Sequence, residues 1–336
     1  MLRSLVGSEM CIRDRHLHDK KNIPFVKVSV IIPNYRHARY LKERIDSVLE
    51  QTYHDFEVII LDDCSPDDSR EIIETYRTRE KIAHIVYNEH NSGSTFVQWQ
   101  KGFDLAQGEY IWIAESDDFA DPLFLSSCVE QLESDPSCTL AYTESRLVDA
   151  ESRPMKKRMK GAYSKGSPCD MWEGHDFVLR NMLRCNTIYN ASMVVFRKAA
   201  IPADKTYMQF RLNGDWLFWV EIALQGKVAH INAPYNNFRQ HEVKVTHTSR
   251  TDGTGLAELL RLYDIFFSLI ELPRRTRWAV EGRIIRHARR ALRHIDTLSR
   301  RKEVAGMWQE RYTHMRWRII WYKLYRHLFI PPRFIR

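Results

Sequence analysis

Asp117 and Asp118 stand directly after the apolar run Tyr110–Ala114, with Glu115 just ahead of them. Carboxylates crowded at the end of a buried strand are costly unless a cation or backbone amides receive them. Mg2+ or Mn2+ prefers oxygen ligands and takes one or two carboxylates together with substrate phosphates, so a short acidic cluster can hold one. Asp-Asp alone is more often a solvated turn capping the next helix, here from about Pro122. Asp62 and Asp63 repeat the pattern after Phe56–Leu61, where a carboxylate can accept hydrogen bonds from a base N–H or a ribose hydroxyl. Pro33 and Tyr35 close a third run, and the Tyr35 ring could stack on a nucleobase or pack under the helix that follows.

These clusters need elements to position them. Val28–Ile32 reads as a strand, and Tyr40, Leu41, Ile45, Val48 and Leu49 recur at helical spacing after it. Phe56–Leu61 is a second strand, and a helix follows from about Asp68 to Tyr76 with Asp67 as its cap. A third strand spans Ile82–Tyr87, a helix runs from about Thr95 to Ala106, and Tyr110–Ala114 is a fourth strand. Apolar strands joined by single crossover helices predict a mainly parallel sheet in an α/β/α sandwich. Ligands of such sheets lie at the carboxyl ends of the strands, where all three clusters fall.

Further along, Asp149 to about Trp172 carries Lys156, Lys157, Arg158, Lys160 and Lys165 without periodicity and reads as a mobile loop that could act as a lid. Regular structure resumes at Phe177–Leu183, Met193–Phe196, Gly214–Leu224 and Lys227–Ile231, and a polar stretch follows. After Gly255 two long helical faces are expected, one through Ile285, Ala288, Leu292 and Ile295, the other through Val304, Trp308, Tyr312, Met315, Ile319 and Tyr322. The expected organisation is a non-structural leader at 1–26, a catalytic domain at 27–250 divided near 145, and a basic helical extension at 256–336. Within the leader, Ser4–Arg15 reads like a translated sequencing adapter.

The net charge of +8 suggests nucleic-acid binding only until it is located. Residues 271–336 hold 18 Lys and Arg against 5 Asp and Glu, so the remainder is mildly acidic and no nucleic-acid partner is expected. In that tail Trp317, Trp321, Tyr322 and Tyr325 lie among Arg316, Arg318, Lys323 and Arg326. The composition suits either a helix packed on the body or one lying on a membrane surface. No run approaches the roughly 18 apolar residues of a spanning helix. Six scattered cysteines without a C-x-x-C pair predict reduced thiols in a cytoplasmic protein, at most peripheral on the membrane.

Taken in order, Ser29–Tyr35, Ser47–Thr52, Phe56–Ser65, Asn91 and Gly93, Ala106–Tyr110 and Glu115–Asp118 resemble family 2 glycosyltransferases over about residues 27–145. The resemblance implies a GT-A-type fold and inverting sugar transfer from a nucleotide-sugar, a UDP-sugar first among the candidates. The implied acceptor is a carbohydrate or a lipid-linked molecule in surface polysaccharide or glycolipid synthesis. It further implies that Pro33, Tyr35, Asp63 and Asp117 line the donor nucleotide, and that Asp118, or Asp117 with it, binds Mg2+ or Mn2+. Gly214–Trp219 is similar to the family's acceptor-side segment, which makes Asp215 the catalytic base or else a helix cap. Phe238–His241 is similar to its Arg-x-His element, which would place Arg239 on phosphate and His241 on the metal. The chain departs from the pattern at Glu115, which stands for the usual Asp, at Ser94–Gln100, which lacks the common Ala-Arg-Asn, and at Gly214, which stands for Glu.

No G-x-G-x-x-G follows a strand, and no P-loop, H-E-x-x-H or G-x-S-x-G occurs. A sugar nucleotidylyltransferase would want a glycine-rich phosphate loop after the first strand, which is missing. A transferase-like binding protein without turnover would leave Asp118 and Asp215 without a purpose.

Overall fold

The computed structural model describes residues 26–156, 167–183, 185–240 and 251–329. Four strands, β1 (Val28–Asn34), β2 (Phe56–Asp62), β3 (Ile82–Tyr87) and β4 (Tyr110–Ile113), run parallel in the spatial order β3-β2-β1-β4. The helices α1 (Ala38–Leu49), α2 (Ser69–Glu74) and α3 (Thr95–Leu105) connect them. Both faces of this half-sheet are covered, and alternate residues go to opposite sides. Ile31, Ile59, Ile111 and Ile113 share one core with Trp99 and Phe103 of α3, whereas Val30, Ile32, Val58, Ile60 and Trp112 share the other with Leu41, Ile45 and Val48 of α1.

Beyond β4 the sheet continues through a different set of pairings. The new elements are β5 (Phe119–Ala120), α4 (Phe124–Ser134), β6 (Cys138–Val148), β7 (Cys169–Glu173), α5 (Gly174–Phe177), β8 (Val194–Arg197), α6 (Gly214–Ala223) and β9 (Lys227–Arg239). β8 joins β4 antiparallel, β6 and β9 follow, and β5 closes the edge against the end of β9 with Phe119 opposite Asn237. β9 is longer than the expected Lys227–Ile231, because the polar stretch after it stays in the sheet. Asn236 is fully buried there and donates to Ser145 Oγ at 2.9 Å, a pairing that hydrophobic periodicity cannot reveal.

The tail forms α7 (Thr254–Leu269), α8 (Arg274–Ala291), α9 (Leu298–Arg311) and α10 (Met315–Phe329). α7 packs on the body: Trp216 of α6 meets Tyr263 and Phe266 edge-on at 6.0 and 5.7 Å, and Glu258 accepts from the Arg211 and Leu212 N–H groups. The single helical face expected through Val304 to Tyr322 is in fact two helices, α9 and α10. The chain breaks between them at His314, whose φ of 57° is left-handed. α8 and α10 lie against each other so closely that a Cβ on Gly282 would fall 1.9 Å from the Arg318 carbonyl oxygen. No described helix is long and apolar enough to cross a membrane.

Candidate active site

The parallel register puts the three polar clusters on one edge. Asn34 lies beside Asp62 across β1 and β2, and Ile31 beside Ile113 across β1 and β4, so β1 and β2 end level and the segment after β4 continues along the same edge. Asn34 Nδ2 donates to Asp62 Oδ1 at 2.7 Å. Asp67 works on two helices, accepting from Ser69 N at the start of α2 and from Ala38 N at the start of α1.

Asp118 is fully buried, and its carboxylate is received from three directions. Asn190 Nδ2 and Ser192 Oγ donate to Oδ2 at 2.7 and 2.8 Å, and the backbone N–H of Arg239 donates to Oδ1 at 2.9 Å. Asp118 therefore does not cap α4. The turn into α4 is instead held by Asp121, whose side chain accepts from Leu123 N–H and whose backbone carbonyl accepts from Phe124 N–H. Burial, then the neighbouring Asp117 charge, pushes Asp118 up to about 6 against the pull of Arg44. Burial and Asp117 likewise push Glu115 up to about 8, while Trp99 Nε1 donates to its Oε1 at 3.1 Å. Asp117 itself is only half-buried.

Arg44 and Ser192 hold this corner together, and neither stood out in the sequence. Arg44 is fully buried, donates through Nε to the Glu115 carbonyl at 2.8 Å and through Nη2 to Ser192 Oγ at 3.1 Å. Ser192 Oγ also accepts from Glu115 N at 3.1 Å and spends its one proton on Asp118. The available signal was Arg44 itself, a charge set between Leu41, Ile45 and Val48 on the buried face of α1.

Asp63 is buried and is met by Asn88 Nδ2, Asn91 Nδ2, Ser92 N and Oγ, and Gln98 Nε2 at 2.5 to 3.1 Å. Its carboxylate thus anchors the segment that leads into α3. Pro33 is buried within β1, and Tyr35 is 41% exposed at its end. Arg239, which the resemblance set on phosphate, stands at the end of β9. Its side chain is fully buried, and Nε donates to the Asp117 carbonyl at 2.7 Å, Nη1 to Ser152 Oγ at 2.9 Å and Nη2 to Glu43 Oε2 at 2.5 Å. With its donors turned to protein acceptors, Arg239 fixes the acidic turn. His241 and the rest of 241–250 lie outside the described residues, as do 157–166 of the basic loop.

Asp215 sits in the first turn of α6, half-buried, and accepts from Asn186 Nδ2 at 3.0 Å. Burial raises it to about 7, opposed by the Trp216 N–H and Asn186. The residue before it has to be small: a Cβ on Gly214 would lie 2.3 Å from the Tyr207 carbonyl oxygen and 2.7 Å from the Phe96 ring. One short segment serves both acids, since Asn186 binds Asp215 while Asn190 and Ser192 bind Asp118. The four residues from Asn186 to Asn190 span at most about 14 Å. Trp99 adds a second tie, because it bonds Glu115 and packs against Phe218 and Trp219 of α6 at 5.6 and 6.0 Å.

Among the described residues no three His, Cys, Asp or Glu side chains converge as a ready cage for a metal. The donor chemistry still suits a hard cation: Glu115 and Asp118 are driven toward protonation by burial and then by the Asp117 charge, and Glu115 and Asp117 are both half-buried. A divalent ion that shares its shell with phosphates needs no more than one or two such ligands.

Residues 29–191 match the sequence model of glycosyl transferase family 2. The putative teichuronic acid biosynthesis glycosyltransferase TuaG of Bacillus subtilis is 35% identical over 130 residues, which are 39% of this chain and 51% of that protein, so the match spans about half of the relative. Residues 1–349 of TarS from S. aureus, in complex with UDP-GlcNAc, superpose with a TM-score of 0.56 at 19% identity, covering 90% of this chain and 92% of that one. The mannosyltransferase PcManGT of Pyrobaculum calidifontis, in complex with GDP-Man and Mn2+, superposes with a TM-score of 0.51 at 17% identity, covering 90% and 87%. At those identities the superpositions speak for the fold, a GT-A-type α/β/α sandwich. The sequence match falls on the strands that end in the acidic clusters, and it is residues 29–191 that carry the glycosyl transferase family 2 pattern.

Proposed function

We propose that the protein transfers a sugar from a nucleoside-diphosphate donor, a UDP-sugar in the first instance, to a hydroxyl of a carbohydrate or lipid-linked acceptor in surface-polysaccharide or glycolipid synthesis. The relatives that support this are TuaG, named for teichuronic acid, and TarS, solved with UDP-GlcNAc. The observation that carries the proposal is the anchoring of two acids by one segment: Asp118, held by Asn190 and Ser192 beside Asp117, and Asp215, held by Asn186 and raised to about 7 by burial.

In this scheme Asp215 accepts the acceptor hydroxyl's proton while that oxygen bonds to the anomeric carbon. The bond from that carbon to the diphosphate breaks with its electron pair, and one displacement inverts the configuration. A base with a pKa near the working pH is suited to the task, ionised often enough to act and basic enough to take the proton. Asp117, with Glu115 or Asp118, would hold Mg2+ or Mn2+, which when bound offsets charge on the departing diphosphate. Tyr35 would stack on the base, a role that its exposure at the end of β1 supports, and Asp63 would shape the floor through its contacts to 88–98.

Calorimetric titration of UDP, GDP and their sugar conjugates, with and without Mn2+, tests the donor site on wild type and Asp117→Asn. Metal-dependent binding of one nucleotide class by wild type, weakened at least about tenfold in the variant, is expected. Binding that is indifferent to metal and to the substitution refutes the metal assignment. No nucleotide binding at all refutes the transferase proposal.

A further inference from the structure

The outer face of the α8–α10 pair exposes an apolar patch inside a basic rim. Trp317 is 67% exposed, Leu324 55% and Ile320 44%, and with Trp278, Trp321 and His314 they line a shallow concavity of about 330 Å³. Isolated exposed apolar residues are ordinary, whereas a contiguous group of two helices' aromatic and aliphatic side chains marks an interaction surface. The inner face accounts for the other aromatics: Tyr325 Oη lies 3.0 Å from the Thr276 hydroxyl, and Tyr322 lies against Gly282. The patch is therefore what remains after the two helices have satisfied each other.

The charges say what fits on it. On α8 and α10 the only acid is Glu281, which is buried and paired with Arg277 and Arg318. Arg274, Arg275, Arg316 and Lys323 stand exposed around the apolar group, and Arg274 and Arg318 flank the Trp278 ring at 5.4 and 5.3 Å. We propose that this face docks on an anionic lipid surface, with Trp317, Ile320 and Leu324 entering the headgroup boundary and the arginines meeting lipid phosphates. Indole rings at an interface with basic side chains that reach back to the headgroups are the arrangement such a surface favours. A second copy of the chain would bring the same basic rim against itself, since a twofold contact pairs like with like. A single-stranded nucleic acid would be served by stacking rings, and the aliphatic Ile320 and Leu324 offer none.

The proposal goes beyond sugar transfer and is tested without it. Full-length protein is sedimented with vesicles of phosphatidylcholine alone, or with about one third phosphatidylglycerol, at low and high salt, and its oligomeric state is measured by analytical ultracentrifugation. Binding to the anionic vesicles, with a blue shift of tryptophan emission and loss at high salt, is expected. The exposed-site double variant Trp317→Ser/Leu324→Ser should bind about tenfold or more weakly. Arg316→Glu/Lys323→Glu, which touches no core residue, should abolish the preference for anionic lipid. Protein that stays in solution with anionic vesicles overturns the proposal. So do variants that bind like wild type, or a dimer that the Trp317→Ser/Leu324→Ser change dissociates.

Discussion

Asp215 has two measurable consequences. Replacement by Asn keeps the shape and the approach of Asn186 but removes the proposed base, so kcat should fall by about 10²- to 10⁴-fold while nucleotide binding is retained. In the wild type kcat/KM should rise with pH to a plateau with a midpoint near the raised value of about 7, because the ionised carboxylate is the active form. The same shift affects stability with the opposite sense. The folded state holds a proton that the unfolded chain has already released, so stability falls as pH rises from the ordinary carboxylate range through about 7. Asp215→Asn is released from that penalty, and its Tm should exceed that of wild type above neutrality and match it in acid. A pH–rate profile and thermal melts across pH check both; a flat profile and equal melts at every pH would remove Asp215 from the base role.

At the level of elements, the site depends on how α6 begins. Gly214 is pressed between the Tyr207 carbonyl and the Phe96 ring, which explains why the family's Glu cannot stand there in this chain. Gly214→Ala must push α6 away from α3 and take Asp215 with it. A loss of about 1–3 kcal/mol in denaturant unfolding is expected, together with a larger loss of activity than stability alone would cause. Arg239 plays a similar part at the end of β9, since its backbone N–H holds Asp118, its side chain holds the Asp117 carbonyl, and its guanidinium lies over the Tyr40 ring at 4.4 Å. In both cases the terminus of an element fixes an acid: its own neighbour Asp215 at the start of α6, and Asp118 of a distant segment at the end of β9.

For the whole molecule, the tail is not a detachable anchor. α7 covers Trp216, and Trp308 of α9 donates to the Leu256 carbonyl at 3.3 Å, so body and tail share one core. A chain ended near Thr254 would uncover Trp216, Leu217 and their neighbours, and it should be insoluble or molten when expressed, judged by solubility and near-UV circular dichroism. A soluble, cooperatively melting fragment would show the tail to be dispensable. Of the two readings of the tail, packing on the body describes α7 and α9, and the membrane-surface reading is the proposal for the outer face of α8 and α10.

The parallel half of the sheet was legible from residues 28–118 because β1, β2 and β4 are runs buried on both faces, the half-buried edge strand β3 is still mostly apolar, and the crossover helices carry stripes of their own. These are local patterns, and they deliver Tyr35, Asp63 and Asp117–Asp118 to one edge by register alone. Three features were not legible: the pinning of Asp118 by Asn190, Ser192 and Arg239, the burial of Arg239, and the length of β9. Each rests on polar groups meeting across 70 or more residues of sequence, as in the 72 between Asp118 and Asn190. A hydrophobic stripe repeats along the chain and announces itself, whereas a buried hydrogen bond has no period, and only the packed structure decides which donor a carboxylate finds.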